Sequence, residues 1–213
     1  MFRILIGAAA LALSAPAAFA CDGQTGKVIF EDNFTDDAGG WNFGEASGLL
    51  LKAPGATLSV PAGESAWIAA LNLTFSATQG DFCTGSPFPA DAAKLDAGIG
   101  VAFWGTDDSN LWTATAYAGG TVNLAKIANN KWSSIFETTT NNVVKTGPTD
   151  VNSVRAVVKN GKITVIVNGQ TVKSVRAQIP SGDLKFGFRR SYRNSSPPPV
   201  SFTIGPYKVT AVE

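Results

Sequence analysis

Apolar and polar residues alternate with a period of two along much of this chain. The pattern is clearest at residues 154–175, VRAVVKNGKITVIVNGQTVKSV. Two Asn-Gly pairs, Asn160-Gly161 and Asn168-Gly169, interrupt the alternation. Because Asn-Gly accepts the positive φ angles of a type I′ turn, the segment predicts a three-stranded antiparallel meander. The turns place the following apolar residues opposite each other on one face: Val158 and Ile163, Ala156 and Val165, Val154 and Val167, Val165 and Val172.

Similar runs recur between Gly, Pro and Asn turn signals along the rest of the chain. They cover residues 28–34, 48–52, 57–60, 66–75, 99–104, 111–117, 121–127, 184–188, 200–204 and 207–212. Many short strands without a helical period predict an all-β protein, an antiparallel jelly-roll β-sandwich formed as one domain by residues 21–213. Two long connections, residues 76–96 and 191–199, are predicted to be irregular loops.

The hairpin that closes over residues 105–110 predicts the face on which each side chain lies. Its loop pairs Trp104 with Leu111 and continues the alternation into the next strand. One face is strongly apolar and is predicted to be core; it includes Phe103, Trp112 and Val122. The opposite face carries the predicted ligand-binding residues, which are Trp104, Thr113, Thr115, Tyr117 and Asn123. Sugars stack on aromatic rings and bond to hydroxyl and amide groups, although an ordinary solvent-exposed sheet face would have a similar composition.

The first twenty residues predict a secretory signal peptide. A basic start precedes an apolar run and an Ala-Phe-Ala cleavage site, so the mature chain would begin at Cys21. The same Cys21 could instead be lipidated in a lipoprotein. No later segment is long and apolar enough to span a membrane, so a periplasmic or secreted protein is expected. In such a compartment Cys21 and Cys83 are expected to form a disulfide.

Composition excludes several kinds of chemistry. The chain contains no histidine, which rules out Ser-His-Asp and Cys-His catalysis and histidine-based zinc sites. No metal site and no cofactor are predicted. The sequence leaves calcium binding open at the acidic cluster Asp32, Asp36 and Asp37 and at Asp107-Asp108, although turn formation explains the same residues.

Charge is unevenly distributed along the chain. Residues 21–150 carry 6 Lys/Arg and 14 Asp/Glu, and residues 151–213 carry 10 and 2. In a sandwich these charges can meet across the fold. The alternative is a basic patch for an anionic partner, with the following candidate residues: Lys159, Lys162, Arg189, Arg190 and Arg193.

Several segments occur in an order that suggests a known family. They are Phe30–Phe34 followed by Gly40-Trp41, Ala97–Phe103, Asp107 to Trp112, Asn152–Arg155 leading to Lys162–Gly169, Phe186–Phe188 and Val200–Ile204. This order resembles the concanavalin A-like lectin/glucanase superfamily, and most closely its bacterial 3-keto-disaccharide hydrolase-type, laminin G-like jelly-roll domains. The Glu-x-Asp-x-x-Glu signature of family-16 glucanases is absent, so the resemblance assigns no catalytic residue.

Two functions follow from the sequence and the resemblance. The first is an exported non-catalytic carbohydrate-binding or interaction module of concanavalin A-like fold. The alternative is a glycoside hydrolase or related carbohydrate-active enzyme that acts on a glycan in the groove of the sandwich. A pair of carboxylates across the groove would favour the enzyme. The expected partner is a glycan or a cell-envelope component, and no nucleic acid is expected.

Overall fold

A computed structural model describes most of the proposed mature chain. The described residues are 21, 23–36, 39–41, 49–51, 55–61, 66–69, 76–107, 109–140, 142–147, 149–193 and 200–212. For residues 66–69 and 95 the description covers the backbone alone. The predicted signal peptide, residues 1–20, lies outside them, as do residues 194–199 of the second predicted loop. The division into a signal peptide and one domain therefore stays a prediction.

The described residues form short strands and one helical turn. The elements are β1 (Val28–Asp32), β2 (Leu49–Leu51), β3 (Ala56–Val60), β4 (Ala66–Ala69), β5 (Gly80–Pro87), α1 (Ala92–Leu95), β6 (Ala97–Asp107), β7 (Asn110–Tyr117), β8 (Thr121–Ala128), β9 (Lys131–Thr139), β10 (Val151–Lys159), β11 (Lys162–Val167), β12 (Gln170–Arg176), β13 (Lys185–Tyr192), β14 (Val200–Ile204) and β15 (Tyr207–Thr210). The predicted all-β fold class is confirmed.

Two six-stranded sheets pack face to face around the core. The first sheet has the order β1-β15-β5-β10-β11-β12, and the second has the order β4-β13-β6-β7-β8-β9. Strands β14, β3 and β2 form a smaller third sheet. All the strand pairs are antiparallel. Each large sheet contributes one apolar face to the core, as expected for a sandwich.

The meander forms with the predicted turns. Asn160, Gly161, Asn168 and Gly169 all have positive φ, between 48° and 78°. Strands β10 and β11 pair with the predicted register. The register predicted between β11 and β12 is wrong at one point: Val165 lies opposite Lys173 instead of Val172, because a bulge interrupts the ladder between Val165 and Ile166. Val172 still packs against the core from its bulged position.

The predicted loop at residues 76–96 contains a strand. Residues 80–87 form β5, which lies between β15 and β10 inside the first sheet. Its sequence, GDFCTGSP, has few β-branched residues and therefore gives a weak strand signal. Side-chain contacts anchor it instead: Asp81 forms a buried ion pair with Arg155, and Cys83 forms the predicted disulfide with Cys21.

Candidate functional site

The predicted ligand-binding face belongs to the second sheet. Thr113, Thr115 and Tyr117 alternate along β7, and Thr115 lies opposite Asn123 on β8. These four side chains therefore share one face, as predicted. Phe103, Trp112 and Val122 lie in the core on the opposite face, also as predicted.

Trp104 does not lie on the predicted face. Its side chain is 1% exposed and packs in the core against Phe103 and Trp112. The register of β6 and β7 shifts after the Phe103–Trp112 pair, so the predicted pairing of Trp104 with Leu111 does not form. At this bulge Trp104 adopts a φ of 52°, and its indole Nε1 donates a hydrogen bond to the Thr78 carbonyl oxygen at 2.9 Å. The bulge reverses the side on which the indole points.

The rest of the predicted face is covered rather than open. Thr113, Thr115, Tyr117 and Asn123 are all buried. Arg193 follows β13, and its guanidinium lies 3.7 Å from the centre of the Tyr117 ring. Strand β6 contributes glycines to this face, and these leave room for the Tyr117 ring, because a Cβ at Gly98 would lie 2.6 Å from Tyr117 Cε1. The predicted residues therefore form the floor of a site whose walls come from other strands.

Side chains from opposite parts of the second sheet meet above this floor. Arg189 on β13 lies 5.0 Å from the centre of the Trp132 ring on β9. Arg193 donates hydrogen bonds to both carboxylate oxygens of Glu137 on β9, at 3.2 and 2.8 Å. Strands β13 and β9 are separated by three strands, which corresponds to about 19 Å in a flat sheet. Contacts across that span indicate a face that curves inward, with these side chains lying across it. We call it the concave face.

A cavity of about 220 Å³ opens on the concave face. It is lined by Tyr117, Trp132, Glu137, Arg189, Ser191, Tyr192 and Arg193. Trp132, which lies at the edge of this cavity, is 44% exposed. The site thus combines an accessible indole ring with hydroxyl, carboxylate and guanidinium groups, which is the combination that binds polar ligands having apolar faces.

The carboxylates of the site are both held by Arg193. Glu137 Oε2 also accepts a hydrogen bond from Asn123 Nδ2 at 3.3 Å. Asp96, which precedes β6, lies 3.8 Å from Arg193 Nη1 and accepts a hydrogen bond from the Gly119 amide. Arg193 therefore connects an acidic side chain on β9 with one in the turn that precedes β6.

Arg189 has a different environment. It is 8% exposed, and within the described part of the chain it forms no ion pair with a carboxylate and its Nε has no hydrogen-bond acceptor. Burial lowers the pKa of Arg189, an effect that Tyr117 partly opposes. Its guanidinium also contacts the Trp132 ring.

The five predicted basic residues do not form one patch. Only Arg189 and Arg193 lie at the concave face. Arg190 points between the sheets, where its guanidinium donates to Ser86 Oγ at 2.7 Å, and its burial lowers its pKa to about 9. Lys159 and Lys162 pair beside the first meander turn, in the other sheet.

The sequence did not single out Trp132, because β9 was not predicted as a strand. Its signal is present in the turn before it. Asn129 and Asn130 both have positive φ, which is the geometry that a type I′ turn requires. If Asn-Asn is treated as equivalent to Asn-Gly, the sequence also predicts β9 and places Trp132 opposite Ile127, as the structure has it.

The described acidic clusters are organised as turns. Asp32 accepts hydrogen bonds from the Phe34 amide and from Trp41 Nε1, each at 2.6 Å. Asp107 accepts from the Ser109 amide and from Asn110 Nδ2, and these bonds, the one from Asn110 first, lower the pKa of Asp107. Asp37 and Asp108 lie outside the described residues. The calcium hypothesis is therefore untested.

A second and larger cavity, of about 480 Å³, lies where the ends of β6, β7 and β8 meet the segment after β12. Leu111, Trp112, Ile127 and Ile179 contribute apolar side chains to it. Lys126 Nζ lies 5.9 Å from the centre of the Trp112 ring. This cavity contains no Asp or Glu side chain among its described lining residues, and it does not include the predicted ligand-binding residues other than Trp104.

Solved structures with the same fold include a carbohydrate-binding module and two glucanases. The carbohydrate-binding module CBM66 from Bacillus subtilis is 13% identical, with a TM-score of 0.54, over 74% of this chain and 89% of its own. The Bacillus licheniformis beta-glucanase is 12% identical (TM-score 0.58), and the laminarinase catalytic domain of Thermotoga maritima is 10% identical (TM-score 0.62); each match covers 89% of this chain and 100% of the other. The protein has the concanavalin A-like jelly-roll fold that its sequence resembles. No protein-family model and no curated protein matches the chain in sequence.

Proposed function

We propose that this protein is an exported, non-catalytic module that binds a glycan on the concave face of its second sheet. The observation that carries the proposal is the cavity beside Trp132, where an accessible indole lies next to polar side chains from three strands. A sugar ring stacks its apolar face on such an indole and directs its hydroxyl groups at the polar neighbours. The name of the B. subtilis neighbour, a carbohydrate-binding module, supports the same ligand class.

The hydrogen bonds of Glu137 favour binding over catalysis. A glycosidase needs one carboxylic acid that donates a proton to the glycosidic oxygen and a second carboxylate on the other side of the bond. Both oxygens of Glu137 instead accept hydrogen bonds, from Arg193 and Asn123. Glu137 is therefore bound as a structural acceptor that fixes Arg193 across the concave face.

The enzyme alternative rests on Asp96 and Glu137, which both contact Arg193. A bound glycan that is cleaved would release new reducing ends, and Glu137→Gln would abolish that release. Under the binding proposal, incubation with the bound glycan releases no reducing ends.

An exported protein fits the predicted signal peptide and the Cys21–Cys83 disulfide. In the described part of the chain, no helix has the length and apolar character needed to cross a bilayer. We expect the periplasmic or secreted material to begin at an unmodified Cys21, and intact-mass spectrometry distinguishes this from a lipid-modified N-terminus. The partner is a free glycan or a glycan of the cell envelope, and binding needs no cofactor, so it is expected to survive chelation of calcium.

A glycan array probed with three proteins tests the proposal. The wild-type protein is expected to bind a defined set of saccharides, and Trp132→Ala is expected to lose that binding. The matched control is Ile135→Ala, because Ile135 is on the same strand, is similarly exposed at 41%, and does not line the cavity. Equal binding by all three proteins, or binding by none, would contradict the proposal.

A further inference from the structure

Resting on the proposed binding face, we infer that its ligand is an anionic saccharide whose carboxylate or sulfate group binds the Arg189 guanidinium. The inference depends on the difference between Arg189 and the other arginines near it. It names a class of ligand that the fold alone does not indicate, because the same fold carries binding modules and glucan hydrolases.

The other described arginines that are buried or lie at the concave face all have oxygen acceptors in the structure. Arg155 is paired with Asp81, and Arg193 with Glu137 and Asp96. Arg190 donates to Ser86 Oγ and to the backbone carbonyls of Gly100 and Arg189. A buried charge without such partners is costly, so proteins normally provide them.

Arg189 is as buried as Arg155 but has no such acceptor among the described residues. Its guanidinium lines the cavity, and the Trp132 ring holds it there. The carboxylate that shares the cavity, Glu137, is already bonded to Arg193 and Asn123. A guanidinium fixed in a concave site without an acceptor of its own is suited to an anion supplied by the ligand.

Arginine also matches the geometry of such an anion. Its planar fork can donate two parallel hydrogen bonds to a carboxylate or a sulfate. A uronic acid and a sulfated sugar both present these oxygens beside a ring that can stack on Trp132. The site therefore selects an acidic sugar over a neutral one of the same backbone.

Paired saccharides test this inference by isothermal titration calorimetry. One pair is an oligogalacturonate and its fully methyl-esterified form; the other is a sulfated carrageenan oligosaccharide and its desulfated form. We expect an acidic member to bind about 10- to 100-fold more tightly than its neutral counterpart, the range typical of hydrogen bonds to a charged group. The pair that shows the difference tells whether carboxylate or sulfate is the preferred anion.

Two substitutions separate charge from fork geometry. Arg189→Gln is expected to reduce the affinity for the acidic member to that for the neutral one, and Arg189→Lys is expected to retain part of the preference. Arg176→Gln is the control, since it removes the same charge from an exposed position on β12 in the other sheet. Melting curves establish that each variant is folded. Higher salt should also weaken binding of the acidic saccharide to the wild-type protein, a test that needs no variant.

The outcomes distinguish this inference from the proposed function. Neutral and acidic members that bind equally, with no effect of Arg189→Gln, would overturn the anionic ligand and leave glycan binding in place. A wild-type protein that binds neither these saccharides nor any other on the array would overturn both. An equal loss of acidic binding in Arg176→Gln would show that net charge, and not Arg189, sets the preference.

Discussion

Replacing Trp104 by alanine is expected to destabilise the protein strongly, contrary to what the alternation of the sequence predicts. The indole is 1% exposed, and its ring centre lies 5.7 Å from those of both Phe103 and Trp112. Emptying a buried aromatic site costs about 3–5 kcal/mol. The lost hydrogen bond to the Thr78 carbonyl places the cost toward the upper end of that range.

That cost is large compared with the whole stability of a domain, which is about 5–15 kcal/mol. For a chain of this length it corresponds to a melting temperature about 6–20 °C lower. Thermal unfolding followed by circular dichroism measures it. Trp104→Phe keeps a ring in the core but removes the Nε1 donor, so its melting temperature is expected to fall between those of the wild type and the alanine variant.

Trp132→Ala is the matched comparison. Trp132 is 44% exposed and contacts the Arg189 guanidinium, so its removal is expected to cost about 1 kcal/mol or less. It should also lower the indole fluorescence that acrylamide quenches. A Trp104→Ala protein that melts like the wild type, beside a Trp132→Ala protein that melts early, would refute the bulge and restore the predicted alternation.

Three other sets of substitutions test the interior. Asp81→Asn leaves Arg155 as an uncompensated buried charge and is expected to cost about 3–5 kcal/mol in urea unfolding; adding Arg155→Met removes that charge and should recover part of the lost stability. Tyr207→Phe removes a buried hydroxyl that has no described partner and should stabilise by about 1 kcal/mol. Burial raises the pKa of Tyr207 well above 10, so above pH 10 the folded state keeps a proton that the unfolded state loses. The stability of the wild type relative to Tyr207→Phe should therefore fall as pH rises above 10. Replacing Cys21 and Cys83 together by serine should cost about 4 kcal/mol in thermal unfolding, and an unchanged melting temperature would contradict the disulfide.

The sequence predicts the fold where local chemistry and burial agree. The meander turns form because Asn160 and Asn168 accept positive φ, and the β10–β11 register follows from them. The predicted strand register is wrong at the β-bulges. Between β11 and β12 the inserted residue is Val172, which has no neighbouring glycine or proline to mark it. At Trp104 the register changes beside Gly105, which the sequence predicts as part of the loop. An alternating pattern has no means of showing that one residue has been skipped.

The site is harder to predict because its parts are distant in sequence. Thr115 and Asn123 were placed correctly on one face, since a single hairpin fixes them. Arg189 and Trp132 meet only because β13 and β9 belong to the same curved sheet. No sequence feature near either residue indicates the other, so the side chains that surround the cavity are identified only from the tertiary structure.

The uneven charge of the chain connects the fold with the proposed ligand. Residues 151–213 supply most of the basic side chains and residues 21–150 most of the acidic ones, so a sandwich that interleaves them can neutralise both. The described ion pairs of arginine follow this pattern: Arg155 binds Asp81, and Arg193 binds Glu137 and Asp96. Arg189 lies on the same strand as other basic residues and faces a row of glycine, threonine and asparagine. The row ends at Glu137, whose carboxylate is bonded to Arg193. Pairing across the fold therefore leaves out Arg189, and we expect the ligand to supply the acceptor that this guanidinium lacks.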